Sequence, residues 1–445
     1  MKEITYEELE QFEVDFDNDK TNKVAMNSVV NNGINKSAIN YEEIRNTRHD
    51  YSVKIETGDI TNQKQSGRCW MFASLNFMRI ELMKNLNLKT AELSQNYPLF
   101  FDKLEKTNYF LESIIKTVDE PLNERLVSHI LTDPLGDGGQ WDMFVSLVKK
   151  YGVVPKSAMP ESISSSSTRE LDKYLTLKLR EFATNIRDEH RNGKSEDELR
   201  TLKKDMLNTI YRMLCISLGK PPKKFTYEVV DKNDKFIRIK DITPKEFYDK
   251  YIGIDLDDYV SIINAPTKDK PYNKTFTVDY LGNVVGGRDI KYLNLEIDRL
   301  KCLAIKQLKD NTAVWFGSDV GQFSSRENGF LSTTTYDVDK LFNTEFNMSK
   351  EQRLDYGESL MTHAMLITGV NLDEFDKPDR WRVENSWGKD VGKDGYYVMT
   401  DDWFSEFVYQ IVINKKYLSE EEINMYNEEP IKLKPWDPMG SLAKK

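Results

Sequence analysis

At 445 residues, with 39% hydrophobic and 31% charged side chains, the chain is too long for one hydrophobic core, and roughly 150 residues per domain suggests about three units; collagenous, mucin-like and mini-protein classes are excluded. Sixty-three Lys and Arg against 73 Asp and Glu leave a net charge of −10, which argues against nucleic acid or an anionic membrane as the main partner. The three cysteines, Cys69, Cys215 and Cys302, are too few for a disulfide framework and lack the spacing of a cysteine zinc site, so neither metal nor cofactor is expected and any special cysteine is special for its reactivity.

In chain order, residues 1–60 read as a polar, acidic arm with one short helix, Thr5 to Phe12, followed by an Asn-rich loop. No charged segment followed by an apolar one opens the chain, and no apolar run approaches the ~18 residues of a membrane span, so a soluble, cytoplasmic protein is expected. Residues 61–160 form a helical unit. Trp70, Phe72, Ala73, Leu75, Phe77, Met78, Ile80, Leu82 and Met83 put apolar side chains on most faces of a helix beginning at Cys69, and such a helix is buried. A second helix is predicted over Ser94 to Leu104. A third follows the Gly136 to Gly139 turn, from Trp141, and ends at Gly152 and Pro155.

Residues 161–220 are highly charged. Leu171, Leu175, Leu179 and Phe182, then Leu199, Leu202, Met206, Leu207, Ile210 and Leu214, flank the breaker Asn192-Gly193. This predicts an antiparallel helical insertion whose charges either solvate it or clasp another subunit. Over 221–416 the texture turns to alternation, with strands predicted at Phe225 to Val230, Tyr272 to Val278, Ala313 to Phe316, Ala364 to Val370, Trp381 to Val383, Tyr396 to Met399 and Tyr409 to Ile413. Residues 417–445 form a tail, and its Pro435, Trp436, Pro438 and Gly440 predict an extended strip docked on a surface. A helix-rich half followed by a strand-rich half implies an α+β fold with two lobes, not a doubly wound sheet.

The densest chemical signal is Gln63 to Ser74, a polar loop that delivers Cys69 to the first turn of a buried helix. The partial positive charge at that helix start, with a histidinium partner, can bring a thiol from ~8.5 into roughly the 3.5–7.5 range. Cys215 and Cys302 lie inside apolar helical runs and read as buried structural cysteines. Of four histidines, His49 lies in the polar arm, His190 among the charges of the insertion, and His129 in an apolar helix patch as a core histidine. His363 stands at the entry of the Ala364 to Val370 strand, where its ring can project into a cleft, and is the candidate base. Asn385, in a turn after Trp381 to Glu384, could accept the other ring N–H and hold the tautomer. The Gln63 amide, beside the Cys69 backbone N–H, would complete an oxyanion hole worth a few kcal/mol.

Gly67-Arg68-Cys69-Trp70, Gly138-Gly139, His363-Ala364 and Asn385-Ser386-Trp387-Gly388 resemble the papain-like cysteine peptidases. Leu93-Ser94-Gln95-Asn96-Tyr97, Asp137-Gly138-Gly139-Gln140-Trp141 and Pro435-Trp436-Asp437-Pro438-Met439-Gly440 are similar to the bleomycin hydrolase and aminopeptidase C group within them, over nearly the whole chain. The resemblance implies a papain-like two-lobed fold, a helical lobe plus a β-barrel-like lobe, with a helical insertion and N- and C-terminal extensions. It implies Cys69 as nucleophile, His363 as general base and acid, Asn385 as orienter and Gln63 as oxyanion donor. Trp387 would cover the His363–Asn385 hydrogen bond, the Gly138-Gly139 backbone would pair with substrate, and a specificity pocket would lie beside Gly139 and Ala364. Secreted members carry disulfide cysteines where Ser66 and Asp137 stand, and their replacement fits a reducing cytosol. The separation of Cys69 from His363 is about twice the ~130–150 residues of simpler members, a surplus that the insertion and its flanks match.

The activity so implied is that of a cysteine aminopeptidase releasing N-terminal residues from peptides through a thioester acyl-enzyme, extending to bleomycin-like amides, in a homohexameric ring with the sites facing an inner cavity. The tail would lie in the non-primed side of the cleft and end near Ala443, its carboxylate meeting the substrate's amino group. Lys444 and Lys445, beyond that point, are expected to be trimmed by the enzyme itself. Two alternatives stay open: a papain-like endopeptidase, against which only the tail speaks, and a non-proteolytic acyl transferase, in which an Asp would usually stand in place of Asn385.

Overall fold

The computed structural model describes residues 1–444, the last of them by its backbone alone. The Cys69–Asn85 helix is apolar all round and is correspondingly buried, from Cys69 through Arg79 without a break and again at Leu82 and Met83. It packs across the His363–Leu372 strand on one side and against the Trp141–Tyr151 helix on the other. Trp141 joins these layers: its ring meets Phe77 edge-on at 5.6 Å and lies 6.2 Å from Trp315 of the sheet.

Among the described residues, twelve strands form one mixed sheet. Its centre is antiparallel, running Tyr259–Ile263, Val408–Asn414, Val314–Ser318, His363–Leu372, Pro378–Glu384 and Tyr396–Thr400. His363 is in register with Ser318 and Leu366 with Glu384. Parallel pairs occur towards the margins, where Tyr259–Ile263 meets Tyr292–Asn294 and Tyr396–Thr400 meets Phe330–Leu331. The protein thus combines α and β structure around a large mixed sheet, and none of its helices is long and apolar enough to cross a membrane among the described residues.

Several elements differ from the sequence-based expectation. The arm is helical over most of residues 6–46, as Tyr6–Asn18, Lys20–Asn32, Ile34–Ala38 and Tyr41–Asn46. Here caps decide where periodicity is silent: Thr5 and Glu8 form a capping box, Asp19 caps the second helix, and Gly33 at φ 80° ends it, so the expected Asn-rich loop is a helix. The helix expected to end near Leu104 runs as Asn96–Lys116, because its later turns bury Phe110, Leu111, Ile114 and Ile115. Cys215 is only half-buried and Cys302 is exposed, since Ile297–Lys309 buries Leu300, Leu303, Ala304 and Leu308 and turns Cys302 outward. His129 is half-buried rather than a core residue. The predicted hairpin is present as Arg169–Arg191 and Glu196–Leu218, the second helix opened by a Ser195–Glu198 capping box. It packs along Asn96–Lys116 instead of projecting from the surface.

One buried ion pair ties the Cys69–Asn85 helix to the sheet. Arg79 meets Glu384 at 2.7 Å with both side chains no more than 1% exposed, and Arg79 also donates to the Asp59 carbonyl. Because Glu384 directly precedes Asn385, this pair links the cysteine's helix to the turn that carries the asparagine. Glu384→Ala leaves the guanidinium buried and uncompensated, and we expect a loss of about 3–5 kcal/mol. Urea unfolding of the variant checks this; a midpoint equal to that of the parent protein would show that the pair is energetically idle.

Candidate active site

Cys69 is the first residue of its helix, and Arg68 before it provides no side-chain cap. The loop that sets this start is held by its own side chains. Ser66 Oγ donates to the Gln63 carbonyl at 2.7 Å and accepts from Arg68 Nε at 2.9 Å, while the Arg68 fork grips Glu161 at 3.1 and 2.8 Å. The Gly67 N–H donates to Asp137 Oδ2 at 2.7 Å. Burial works against the charge on Asp137, yet Lys103, Thr168 and the Gly67 amide hold its carboxyl below the usual range. Asp137 and Ser66 therefore hold the loop by hydrogen bonds.

His363 opens the His363–Leu372 strand, and the N–H of the next residue, Ala364, donates to Cys69 Sγ at 3.4 Å. The strand thus carries the imidazole to the start of the cysteine's helix. Asn385 Oδ1 accepts from the Ser386 N–H at 2.8 Å and lies 2.9 Å from His363 Nε2. Its oxygen end is fixed by that backbone donor, so a neutral His363 carries its hydrogen on Nε2 and leaves Nδ1 as the acceptor. The Trp387 ring lies 4.8 Å from the imidazole, tilted by 35°, and the Arg326 guanidinium lies 5.0 Å from the indole centroid. Gln63 reaches the same turn: its N–H donates to the Ser386 carbonyl at 2.8 Å, its Oε1 accepts from Ser386 Oγ at 2.6 Å, and its Nε2 donates to the Ser66 carbonyl at 2.7 Å.

Burial governs the electrostatics of this pair. It pushes the Cys69 thiol up to about 11, against the pull of the Ala364, Trp70 and Cys69 N–H groups. It pushes His363 down to about 4, against the bond to Asn385. In this enclosed cleft each group alone prefers its neutral form.

The tail packs against Gly138. Its Ile431–Leu433 segment runs parallel to Lys274–Val278, and Trp436 packs under the Arg125 guanidinium at 3.7 Å and edge-on to His129 at 5.9 Å. Asp437 pairs with Lys270 at 3.0 Å, and Tyr292 Oη donates to the Met439 carbonyl at 3.3 Å. The final stretch, Pro438–Lys444, is a 3₁₀ helix and not the extended strip expected, since proline is tolerated at a helix start. Met439, Leu442 and Ala443 are all at least nine-tenths buried. A Cβ added at Gly138 would stand 2.2 Å from the Leu442 carbonyl oxygen, and one at Gly139 would stand 2.4 Å from the Trp70 ring. The two glycines thus serve different neighbours: Gly138 admits the tail backbone and Gly139 admits the indole beside Cys69. The expected trimming of Lys444 and Lys445 concerns the chain end, outside the described residues and side chains.

Cys69, His363, Asn385 and Gln63, picked out from the sequence, converge on this one cleft, with Gly138, Ala364, Trp387 and Ala443 around it. Asp137 and Ser386 were not assigned a part, although both stand inside the motifs that were noticed, and the docking expected of Trp436 is made by Arg125 and His129.

The sequence model of the Peptidase C1-like family matches residues 3–440. Among characterised proteins, the chain is 48% identical to Aminopeptidase C of Lactobacillus delbrueckii subsp. lactis over 445 residues, covering 99% of each chain. It is 44% identical to bleomycin hydrolase of Homo sapiens over 402 residues, covering 88% of each. The crystal structure of PepW from Lactobacillus rhamnosis superposes with a TM-score of 0.97 at 51% identity, covering 98% of this chain and 99% of that one. With its cysteine, histidine and asparagine meeting in one buried cleft and a family match that extends almost end to end, the chain belongs to the Peptidase C1-like family.

Proposed function

We propose that this protein is a cysteine aminopeptidase that releases N-terminal residues from peptides, with Cys69 as nucleophile, His363 as general base and acid, Asn385 as its orienter and Gln63 as oxyanion donor. The observation that carries the exopeptidase reading is the tail seated against Gly138, because it fills the cleft on the side where residues preceding the cleaved bond would extend. Similarity to Aminopeptidase C at 48% identity supports the same activity, and similarity to bleomycin hydrolase supports extension to bleomycin-like amides.

In the reaction, His363 Nδ1 takes the Cys69 proton as sulfur attacks the peptide carbonyl. The oxyanion is met by the Cys69 N–H and the Gln63 amide. His363 then gives the proton to the departing amine, leaving a thioester, and afterwards activates the water that hydrolyses it. Gly138 and Gly139 border the substrate backbone, Ala364 lines the cleft wall, and Trp387 keeps water from the His363–Asn385 bond.

The wider setting follows the same reading. The helices Arg169–Arg191 and Glu196–Leu218 form the insertion within a two-lobed fold, with the sheet as the barrel-like lobe. A homohexamer is supported by the arm: Leu9, Phe12, Val14 and Phe16 are exposed apolar residues on Tyr6–Asn18, a helix that buries no residue within its own chain. Light scattering gives the mass directly, and a monomer would remove the ring. A cytoplasmic location is supported by the hydrogen-bonding residues Ser66 and Asp137 standing where secreted relatives of papain carry cysteines.

Cys69→Ala is expected to abolish hydrolysis of unblocked amino-acid amides with the fold intact by circular dichroism, while Cys215→Ala retains it; turnover by the first variant would remove the mechanism. The pH profile has a defined sign. With His363 held down to about 4, kcat/KM stays level through neutrality and is lost as pH falls through about 4, where the base becomes protonated. Asn385→Ala removes a bond that raises His363, so the acid limb moves lower. A limb near 6.5 in the parent protein would indicate an imidazole free in water. Deleting Met439 to Lys445 is expected to weaken cleavage of unblocked amides and to admit N-terminally blocked peptides. Continued rejection of every blocked peptide would place the gate elsewhere in the cleft.

A further inference from the structure

Arg326 has no part in the chemistry described above, yet it stands over one wall of the site. It is exposed, and its guanidinium lies 5.0 Å from the centroid of the Trp387 indole, whose ring lies 4.8 Å from the His363 imidazole. The charge is thus no more than about 10 Å from that imidazole. Arg68 and Arg79, the two buried arginines near Cys69, are each paired with a glutamate. Among the described residues the Arg326 guanidinium forms neither an ion pair nor a hydrogen bond, and the indole is what it touches.

The turn that carries this arginine is fastened to the sheet. Ser324–Ser325 pairs with Phe330–Leu331, which is itself bonded to the Tyr396–Thr400 strand. The Gly329 N–H closes the turn on the Ser325 carbonyl at 2.8 Å, Asn328 Nδ2 donates to Ser325 Oγ at 2.8 Å, and Tyr397 Oη donates to the Arg326 carbonyl at 3.5 Å. The backbone is held and the indole face supports the guanidinium, so the unpaired charge is presented from a fixed place.

On the reading proposed above, the tail against Gly138 fills the side that precedes the cleaved bond. His363 gives its proton to the departing amine, so the fragment that leaves passes the imidazole and the Trp387 wall. A planar guanidinium binds both oxygens of a carboxylate. An extended chain advances ~3.3–3.6 Å per residue, which brings a carboxylate one or two residues beyond the cleaved bond within reach of Arg326.

We propose that Arg326 is a specificity-determining residue that binds a carboxylate on the leaving fragment, either the free C-terminus of a dipeptide or tripeptide or an acidic side chain just past the cleaved bond. The proposal rests on the reading of Cys69 as nucleophile and His363 as the acid that protonates the leaving amine.

The test compares kcat/KM for Leu-Gly with Leu-Gly-amide, and for Leu-Glu-amide with Leu-Gln-amide, in the parent protein, Arg326→Gln and Arg326→Lys. The leaving amines differ in basicity, so the quantity read is the ratio within each pair, variant against parent, in which that difference cancels. Arg326→Gln is expected to lower the ratio by about three- to tenfold in at least one pair, Arg326→Lys to retain part of the preference, and added salt to narrow it in the parent protein. A fall in the first pair assigns the carboxylate to the C-terminus, and a fall in the second assigns it to an acidic side chain; either supports the proposal. Ratios equal to those of the parent protein in both pairs overturn it. So does a variant that slows all four substrates in proportion, because Arg326 would then only support Trp387. Failure of the underlying reading is distinct, since it would appear as hydrolysis that survives Cys69→Ala.

Discussion

The carboxylate of Asp137 accepts hydrogen bonds from the Gly67 amide at 2.7 Å and the Thr168 hydroxyl at 2.5 Å, and pairs with Lys103 at 2.7 Å. Its backbone carbonyl takes the Trp70 indole N–H at 2.8 Å, and the next residue, Gly138, is the surface on which the tail lies. A single residue therefore holds the loop before the nucleophile, the first turn of the nucleophile helix, the entry to the charged hairpin and the seat of the C-terminal segment. Lys103 extends the connection, since its ammonium also meets Asp172 of the hairpin at 2.6 Å. A fully buried lysine is tolerable only with a counter-charge beside it, which Asp137 supplies, while burial pushes Asp172 up to about 7.

The site itself is assembled from segments that meet only in the fold. Gly67 and Asp137 are 70 residues apart and Ser386 and Gln63 are 323 apart. Helix and sheet each supply one reactive group in a rigid place, the thiol from a buried helix start and the imidazole from a strand in register with fully buried neighbours. Rigid supports of this kind limit the reorganisation needed during reaction. The Arg79–Glu384 pair and the Gln63–Ser386 bonds are among the polar cross-links around the site, and both run to the same short turn.

How much of this was legible before folding depended on whether a signal was local. The Cys69–Asn85 helix declared itself through apolar residues on every face, and the hairpin through two amphipathic runs about Asn192-Gly193. Gln63, Cys69, His363 and Asn385 were recognisable because reactive side chains stood beside a loop, a helix start or a strand entry. The arm helices beyond the first were hidden because they bury almost nothing, so their sequence carries caps without a stripe. Tyr259–Ile263 was passed over because all five of its residues are buried, which removes the alternation by which a half-exposed strand is recognised. Asp137 and Ser386 stood in noticed motifs, but their parts lie in contacts with distant residues that no local pattern encodes. Cys302 misled because an apolar neighbourhood in sequence was one face of a helix, and the cysteine stood on the other.

The tail held by Trp436, Asp437 and Met439 belongs to the same chain as the cleft it occupies. A separate peptide bound there would leave on dilution, but a tethered one faces its site at an effective concentration in the millimolar range or above, whatever the protein concentration. Occupancy is thus set by local anchoring and does not vary with expression level or with the amount of free peptide. On the reading proposed above, a long substrate or an extended inhibitor must displace this segment, with its buried leucine and methionine, before gaining its own contacts on that side. A ligand that ends where the tail begins meets no such competitor. The cleft therefore favours short occupants through competition from within the molecule.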